Sequence, residues 1–302
     1  MPDGRFSGIA ILDAIPNGEL NTARRLRENL EDVAAYCVEG LQVRYFRVAT
    51  LHELERAIAV LGEDVKSSGL RPWLHLEGHG SRYEDGFVTA DGSPCSWTQL
   101  KELITPLNIA TNFNLLLVLA TCFGGSFARA IRATDRAPLL GLIGPTREIS
   151  IGEVEIDFAA FYETFFQTSS LKEAVSALTA RASSDLYFRT TAQRFFYDIW
   201  ARYKRHECTE EKIAERARRM YREAKSQKLA STPSVGRLKR SIRSAESVLF
   251  EKYRDTYFMY DLNASNRTRF PVTYQAAEKY SARLLDLRRQ VRPLPQRPFR
   301  IT

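Results

Sequence analysis

The sequence predicts an α/β protein built on a mostly parallel sheet, followed by a basic, all-helical C-terminal region. Three observations predict it. Short apolar runs alternate with amphipathic helical patterns from residue 8 to about 188, as in a doubly wound sheet. Within them, Trp73 to Gly125 reads as strand, helix, strand, and such a crossover makes its two strands parallel. After about Arg189 the helical periodicity continues with no convincing strand, and the charge changes sign. Residues 201–302 carry 25 Lys and Arg against 11 Asp and Glu, whereas residues 1–200 carry 19 against 25. The expected division is therefore 1–188 and 189–302.

The elements follow in order. Gly8–Ala14 is a buried-strand pattern, and the turn Pro16-Asn-Gly-Glu19 leads into a helix from about Asn21 to Tyr36. Leu41–Val48 is a second strand and Leu51–Lys66 a second helix. The third strand begins at Trp73 and ends in Gly78-His79-Gly80. Tyr83–Pro94 reads as a small hairpin turning at Asp91-Gly92. Ser96 is placed to cap a helix whose apolar face holds Trp97, Leu100, Leu103, Ile104 and Leu107. Asn114–Ala120 is a strand that ends in Thr-Cys122-Phe-Gly-Gly125. Helices are expected at Ser126–Ala133, Glu153–Gln167 and Leu171–Phe188, with a strand at Pro138–Gly144. The basic part reads as helices over Phe195–Arg205, Glu210–Lys225, Arg237–Tyr260 and Thr273–Val291. Lys225–Gly236 is the expected flexible loop and candidate autocleavage segment, and Arg292–Arg300 an extended Pro-rich tail.

Composition removes several classes. No run approaches the roughly 20 apolar residues of a membrane span, and Met1–Phe6 lacks the regions of a signal peptide. Cys37, Cys95, Cys122 and Cys208 have no short paired spacing, which argues against a disulfide framework or a zinc site. The expected location is the cytoplasm, with no membrane partner.

The chemistry gathers at two strand ends. Parallel strands put His79 and Cys122 at one carboxyl edge, where open α/β sheets keep their sites. A nucleophilic cysteine needs a base or a field that favours its thiolate. A following helix would add its N-terminal dipole, and Gly124 and Gly125 would admit a substrate backbone. The N–H groups of Gly80 and Cys122 are the candidate oxyanion hole. A cysteine that closes a buried strand is commonly inert core; a Gly-His-Gly one crossover earlier favours catalysis. Glu77, two residues before His79, shares its side of the strand and is a candidate to orient the imidazole or form an acidic P1 pocket. Asp85, Glu148, Glu153 and Asp157 are alternative acidic pocket residues, and Arg147 would suit an acidic P1. His75 reads as a packed histidine, His52 as surface. Cys95 reads as a loop residue.

These residues resemble the caspase-like cysteine peptidases (caspases, metacaspases, separases, gingipains), most closely the bacterial CHAT-type members. The resemblance rests on an apolar strand ending in His79-Gly80 and a later one ending in Cys122. It extends to the strand Leu139–Gly144, the aromatic helix after it and Leu171–Leu178, covering roughly residues 5–188. It implies a three-layer α/β/α fold, a His79/Cys122 dyad, peptide-bond hydrolysis after a specific P1 residue, and no metal or organic cofactor. By the same resemblance the protein substrate would belong to a regulated stress or defence pathway. The nucleophile motif departs from the family, reading Ala120-Thr-Cys-Phe-Gly124, and Gly144–Ser150 lacks the Trp of many CHAT-type chains.

Two rivals stand beside it. An α/β-hydrolase would use Ala120-x-Cys122-x-Gly124 as its nucleophile turn, but that fold needs the histidine after the nucleophile. Only His206 follows Cys122, inside a highly charged helix. Alternatively, a degenerate scaffold would bind nucleic acid through the basic helices, with Tyr197, Trp200, Tyr203, Tyr221, Tyr253, Tyr257 and Tyr260 stacking on bases. No recognised nucleic-acid motif is present. The same surface suits an activator or regulatory protein.

Overall fold

The computed structural model describes residues 6–36, 40–181, 185–227 and 231–290. Cys37, residues 228–230 of the expected autocleavage loop and the Pro-rich tail lie outside the described residues. The chain divides into two compact units, Met1–Ala192 and Gln193–Thr302. Among the described residues no helix is long and apolar enough to cross a membrane.

The first unit runs β1 (Gly8–Asp13), α1 (Thr22–Tyr36), β2 (Gln42–Arg47), α2 (Leu51–Ser68), β3 (Pro72–Glu77), β4 (Gly86–Val88), β5 (Pro94–Ser96), α3 (Trp97–Ala110), β6 (Leu116–Ala120), β7 (Gly141–Pro145), α4 (Ile151–Thr168), α5 (Leu171–Arg181) and β8 (Tyr187–Thr191). Six strands form one sheet in the order β2-β1-β3-β6-β7-β8, and β4 and β5 form a separate antiparallel hairpin. Every pairing in the large sheet is parallel except that of β8 with β7. The fold is α/β with a mostly parallel sheet.

Both faces of the central strands are buried, so β1, β3 and β6 are buried at every position instead of alternating, and their residues are mostly apolar. One face presents Ile9, Ile11, Trp73, Leu116 and Val118 to Leu26 and Leu30 of α1 and to Phe158, Phe161 and Tyr162 of α4. The other presents Ala10, Leu12, Leu74, Leu76, Leu117 and Leu119, all fully buried, on the side of α2 and α3. Three helices of this unit begin with a reciprocal capping box, Thr50/Glu53, Ser96/Gln99 and Ser150/Glu153. Each satisfies two main-chain donors that a helix start leaves open.

Three expectations are corrected. The segment after Cys122 is not an α-helix from Ser126 but a 3-10 turn over Gly124–Ala130, which begins with two glycines, poor α-helix formers. The helix from Leu171 ends at Arg181, and Tyr-Phe-Arg-Thr-Thr191 forms the antiparallel edge strand β8. Aromatic and β-branched residues favour the pleated conformation, and Tyr187 Oη anchors the strand on Asp157 at 2.8 Å. Cys95 lies in β5, not in a loop, and is buried.

The second unit contains only helices among its described residues: α6 (Ala192–Glu207, beginning one residue before the division), α7 (Glu210–Ser226), α8 (Val235–Ser244), α9 (Glu246–Tyr257), α10 (Asn266–Arg269) and α11 (Tyr274–Gln290). The single helix expected over Arg237–Tyr260 is interrupted at Ala245. There Glu246 meets Lys204 of α6 and Tyr274 of α11. The core of this unit is aromatic, with Trp200 edge-on to Phe250 at 4.9 Å and Phe196 against Phe250, Tyr257 and Phe258.

Trp73 packs against Phe6, Phe161 and Phe165, with ring centroids 4.2 to 6.0 Å away. Trp73→Ala is expected to destabilise the chain by about 3–5 kcal/mol, measured by urea unfolding.

Candidate active site

Strand register builds the site. In the parallel pair of β3 and β6, Glu77 stands opposite Ala120. Two residues beyond each, at the carboxyl edge, are His79 and Cys122. Both line one cleft, whose other walls are Ile15, Glu19, Leu20, Thr22, Glu77, Gly78, Ala120, Ile149, Ile151 and Val154.

Glycine holds the two strand ends together. A β-carbon on Gly80 would lie 1.9 Å from the carbonyl oxygen of Cys122. Only a residue without a side chain permits that approach. Gly80 also stands opposite Phe87 of β4, with Val88 N–H donating to His79 O at 2.9 Å and Ser81 N–H donating to Gly86 O at 2.9 Å. Because its neighbours make those bonds, the Gly80 N–H turns away from β4.

Cys122 sits on a tight turn. Gly124 N–H donates to Thr121 O at 3.0 Å, and Phe123 takes a left-handed φ of 58°. Gly124 and Gly125 are buried, and a β-carbon on either would strike Leu119 or Phe188. They serve the packing of the strands, not the approach of a substrate backbone, and the segment that follows Cys122 is a 3-10 turn in place of the α-helix expected to add its dipole. The sulfur is instead held by the loop before α4. Ile149 N–H donates to Sγ at 3.5 Å, and the thiol reaches Ile149 O at 3.7 Å.

The imidazole of His79 is half exposed and is held by Glu19, whose two carboxylate oxygens lie 2.9 and 3.1 Å from Nε2. Glu19 is absent from the residues singled out by sequence reasoning. Its only signal was an acid in a polar turn after the first strand, and the neighbouring position of β1 and β3 was needed to bring it to His79.

Below them lies a buried polar chain. His75 is fully buried, with Nε2 2.8 Å from Glu77 Oε1 and Nδ1 3.0 Å from Tyr162 Oη. A carboxylate only accepts, so Nε2 carries the ring proton and Nδ1 accepts from the tyrosine. Thr22 donates to the other oxygen of Glu77. Burial, then the Glu77 charge, raises the Tyr162 pKa well above its ordinary value, so the phenol remains a donor. Glu77 is buried yet faces the cleft, and among the described residues no Lys or Arg reaches its carboxylate.

The other acidic candidates lie elsewhere. Asp85 is exposed, accepts from Ser81 Oγ at 2.6 Å and does not line the cleft. Glu153 caps α4, accepting from Ser150 N–H and Oγ at 2.8 Å. Asp157 is buried under Tyr187, and Arg147 and Glu148 are exposed outside the cleft. Of the remaining cysteines, burial and then the Glu55 charge push the Cys95 thiol up to about 12, which suits an inert core residue. Burial also raises Cys208. Among the described residues no cluster of three His, Cys, Asp or Glu is arranged to hold a metal ion.

The aromatic residues of the second unit are mostly unavailable as base-stacking platforms. Trp200, Tyr257 and Tyr260 are buried, Tyr197 stacks on Tyr280, and Tyr203 packs against Trp200. Exposed cations remain on α7 (Arg218, Arg219, Arg222) and α8 (Arg237, Arg240).

No protein-family model matches the chain, and no curated protein matches it.

Hydrogen bonds from Ser150, first its N–H and then its hydroxyl, lower the pKa of Glu153 below the ordinary carboxylate value. Its contribution to stability is therefore full above the usual carboxylate range and is lost as pH falls through the lowered folded value. Glu153→Ala is expected to cost no more than about 1 kcal/mol near neutrality, because the pair is exposed. Urea unfolding of both forms should show that difference closing in acid.

Proposed function

We propose that this chain is a cysteine endopeptidase of the caspase-like kind, with Cys122 as nucleophile and His79 as general base and acid. The observation that carries the reading is the convergence of these two residues in one cleft, at the ends of adjacent parallel strands in matching register. The sequence resemblance supports the same assignment.

The chemistry follows from that arrangement. His79 takes the thiol proton as the sulfur attacks the substrate carbonyl carbon, and the carbonyl oxygen becomes an oxyanion. The N–H groups of Gly80 and Cys122 are the candidate donors to it. Collapse of the intermediate breaks the C–N bond, and His79 returns its proton to the departing amine. Water, deprotonated by His79, then attacks the thioester and frees the acid and the thiol.

Glu77 is assigned to the P1 pocket. This buried carboxylate, which among the described residues no Lys or Arg reaches, lies beside apolar walls from Ile15, Leu20, Ile149, Ile151 and Val154. A side chain with an aliphatic stem and a cationic end, Lys or Arg, complements both features. Asp85 and Glu153 do not share that cleft and are left out of the assignment. The cations of α7 and α8 suit an acidic protein partner, an activator or the substrate itself.

Wild type and Cys122→Ala would each be incubated with the host proteome and with themselves, and new N-termini mapped by mass spectrometry. The expected result is a set of termini that follow Lys or Arg and vanish in the variant. Identical termini from both forms, in the presence of the products of neighbouring genes, would sink the peptidase reading. Termini that depend on Cys122 but follow another residue would remove only the role given to Glu77.

A further inference from the structure

We infer that Glu19 is a positioning residue for His79, the third member of the site, presented by a loop that a buried carboxylate pins in place. The inference rests on the peptidase reading, since it concerns the base of that dyad.

The contact itself is direct. Both oxygens of Glu19 lie within 3.1 Å of His79 Nε2. A carboxylate accepts, so it fixes the proton of the neutral ring on Nε2 and leaves the lone pair on Nδ1. That is the tautomer a base needs when its second nitrogen is committed to an orienting acid. A half-exposed histidine flanked by two glycines has little else to fix its ring. An unpositioned base is a poor one, because misplacement by about 1 Å costs on the order of 100-fold.

The loop that carries Glu19 is the second observation. It joins β1 to α1 and turns at Pro16 and at Gly18, whose φ is 90°. Asp13, fully buried at the end of β1, holds both of its ends. Oδ1 accepts from Ile15 N–H at 2.9 Å, and Oδ2 accepts from Asn21 Nδ2 at 2.7 Å. The carboxylate is held in turn by Arg47 at 2.8 Å and by the Tyr45 hydroxyl. Arg47 also reaches the loop directly, donating to Asn17 Oδ1 at 3.0 Å. The four partners of the buried carboxylate thus fix both ends of the loop. The side chain this arrangement sets in place over the cleft is Glu19.

The test reads the dyad without a substrate. Alkylation of Cys122 by iodoacetamide, followed by mass spectrometry at about pH 6.5, reports activation, because an unassisted thiol is mostly protonated there. Wild type, His79→Ala, Glu19→Ala and Glu19→Gln are compared, each first shown by its melting temperature to be folded as wild type. Glu19→Ala is expected to slow alkylation by about tenfold, approaching His79→Ala, whereas Glu19→Gln, which keeps an acceptor at Nε2, recovers most of the rate. If His79→Ala slows the reaction and Glu19→Ala does not, the role of Glu19 is overturned and the dyad stands. Glu19→Gln as slow as Glu19→Ala also overturns positioning by an acceptor. Should His79→Ala itself react as fast as wild type, the dyad falls and the inference falls with it.

Discussion

The close approach of two main chains is the constraint on which the site depends. Gly80 packs against the Cys122 carbonyl so tightly that a β-carbon would lie 1.9 Å from its oxygen. Neither β3 nor β6 alone could bring His79 and Cys122 to one cleft. Their parallel register, Trp73 opposite Leu116 through Glu77 opposite Ala120, carries His79 and Cys122 out of the sheet at one level. The missing side chain at Gly80 then keeps the diverging loops in contact. Gly144 repeats the device one strand on, where its β-carbon would meet the main chain of Gly124 and Gly125 at 2.8 Å.

A second constraint is electrostatic. Asp13 and Glu77 occupy matched positions on β1 and β3, and both are buried at the carboxyl edge. Burying a carboxylate is costly unless its oxygens are satisfied, and the two are satisfied differently. Asp13 has a guanidinium, a phenol, an amide side chain and a main-chain N–H, and so is neutralised and fixed. Burial and then the bond to Asp13 push Tyr45 up to about 12, so it keeps its proton and remains a donor. Among the described residues Glu77 has a hydroxyl and an imidazole. One carboxyl group is closed in by its partners; the other lines the cleft.

Much of this was legible in the chain. The alternation of apolar runs and helical faces gave the parallel sheet, and the strand ends gave His79 and Cys122, because periodicity and punctuation are local signals. Contacts between distant segments were not legible. Glu19 reaches His79 only because β1 and β3 are neighbours, and nothing near Glu19 in sequence announces it. Glu153 resembled a pocket residue because the pattern that caps α4, Ser150-x-x-Glu153, also places an acid just after β7. The strand β8 was read as a helix end because an edge strand adds few residues and lacks the long apolar run of a central one. The glycines after Cys122 were read as open when they are packed. A glycine in sequence marks a close approach without saying which group approaches.

Under the proposed peptidase mechanism, the separate treatment of the three polar groups in the cleft has a physical logic. A base must exchange protons, so His79 is half exposed and held by an acid that also meets solvent. The recognition group proposed for P1 must keep its charge in one place, and Glu77 is buried and locked by a relay through His75 to Tyr162, deep in the α4 core. A nucleophile must move toward its target, and Cys122 is held only by two long sulfur contacts to the main chain of Ile149. Sulfur bonds of that length are weak beside the carboxylate bonds around them. Firmness of attachment thus falls from the pocket floor to the base to the nucleophile. That is the order in which a reacting site must hold still, adjust and move.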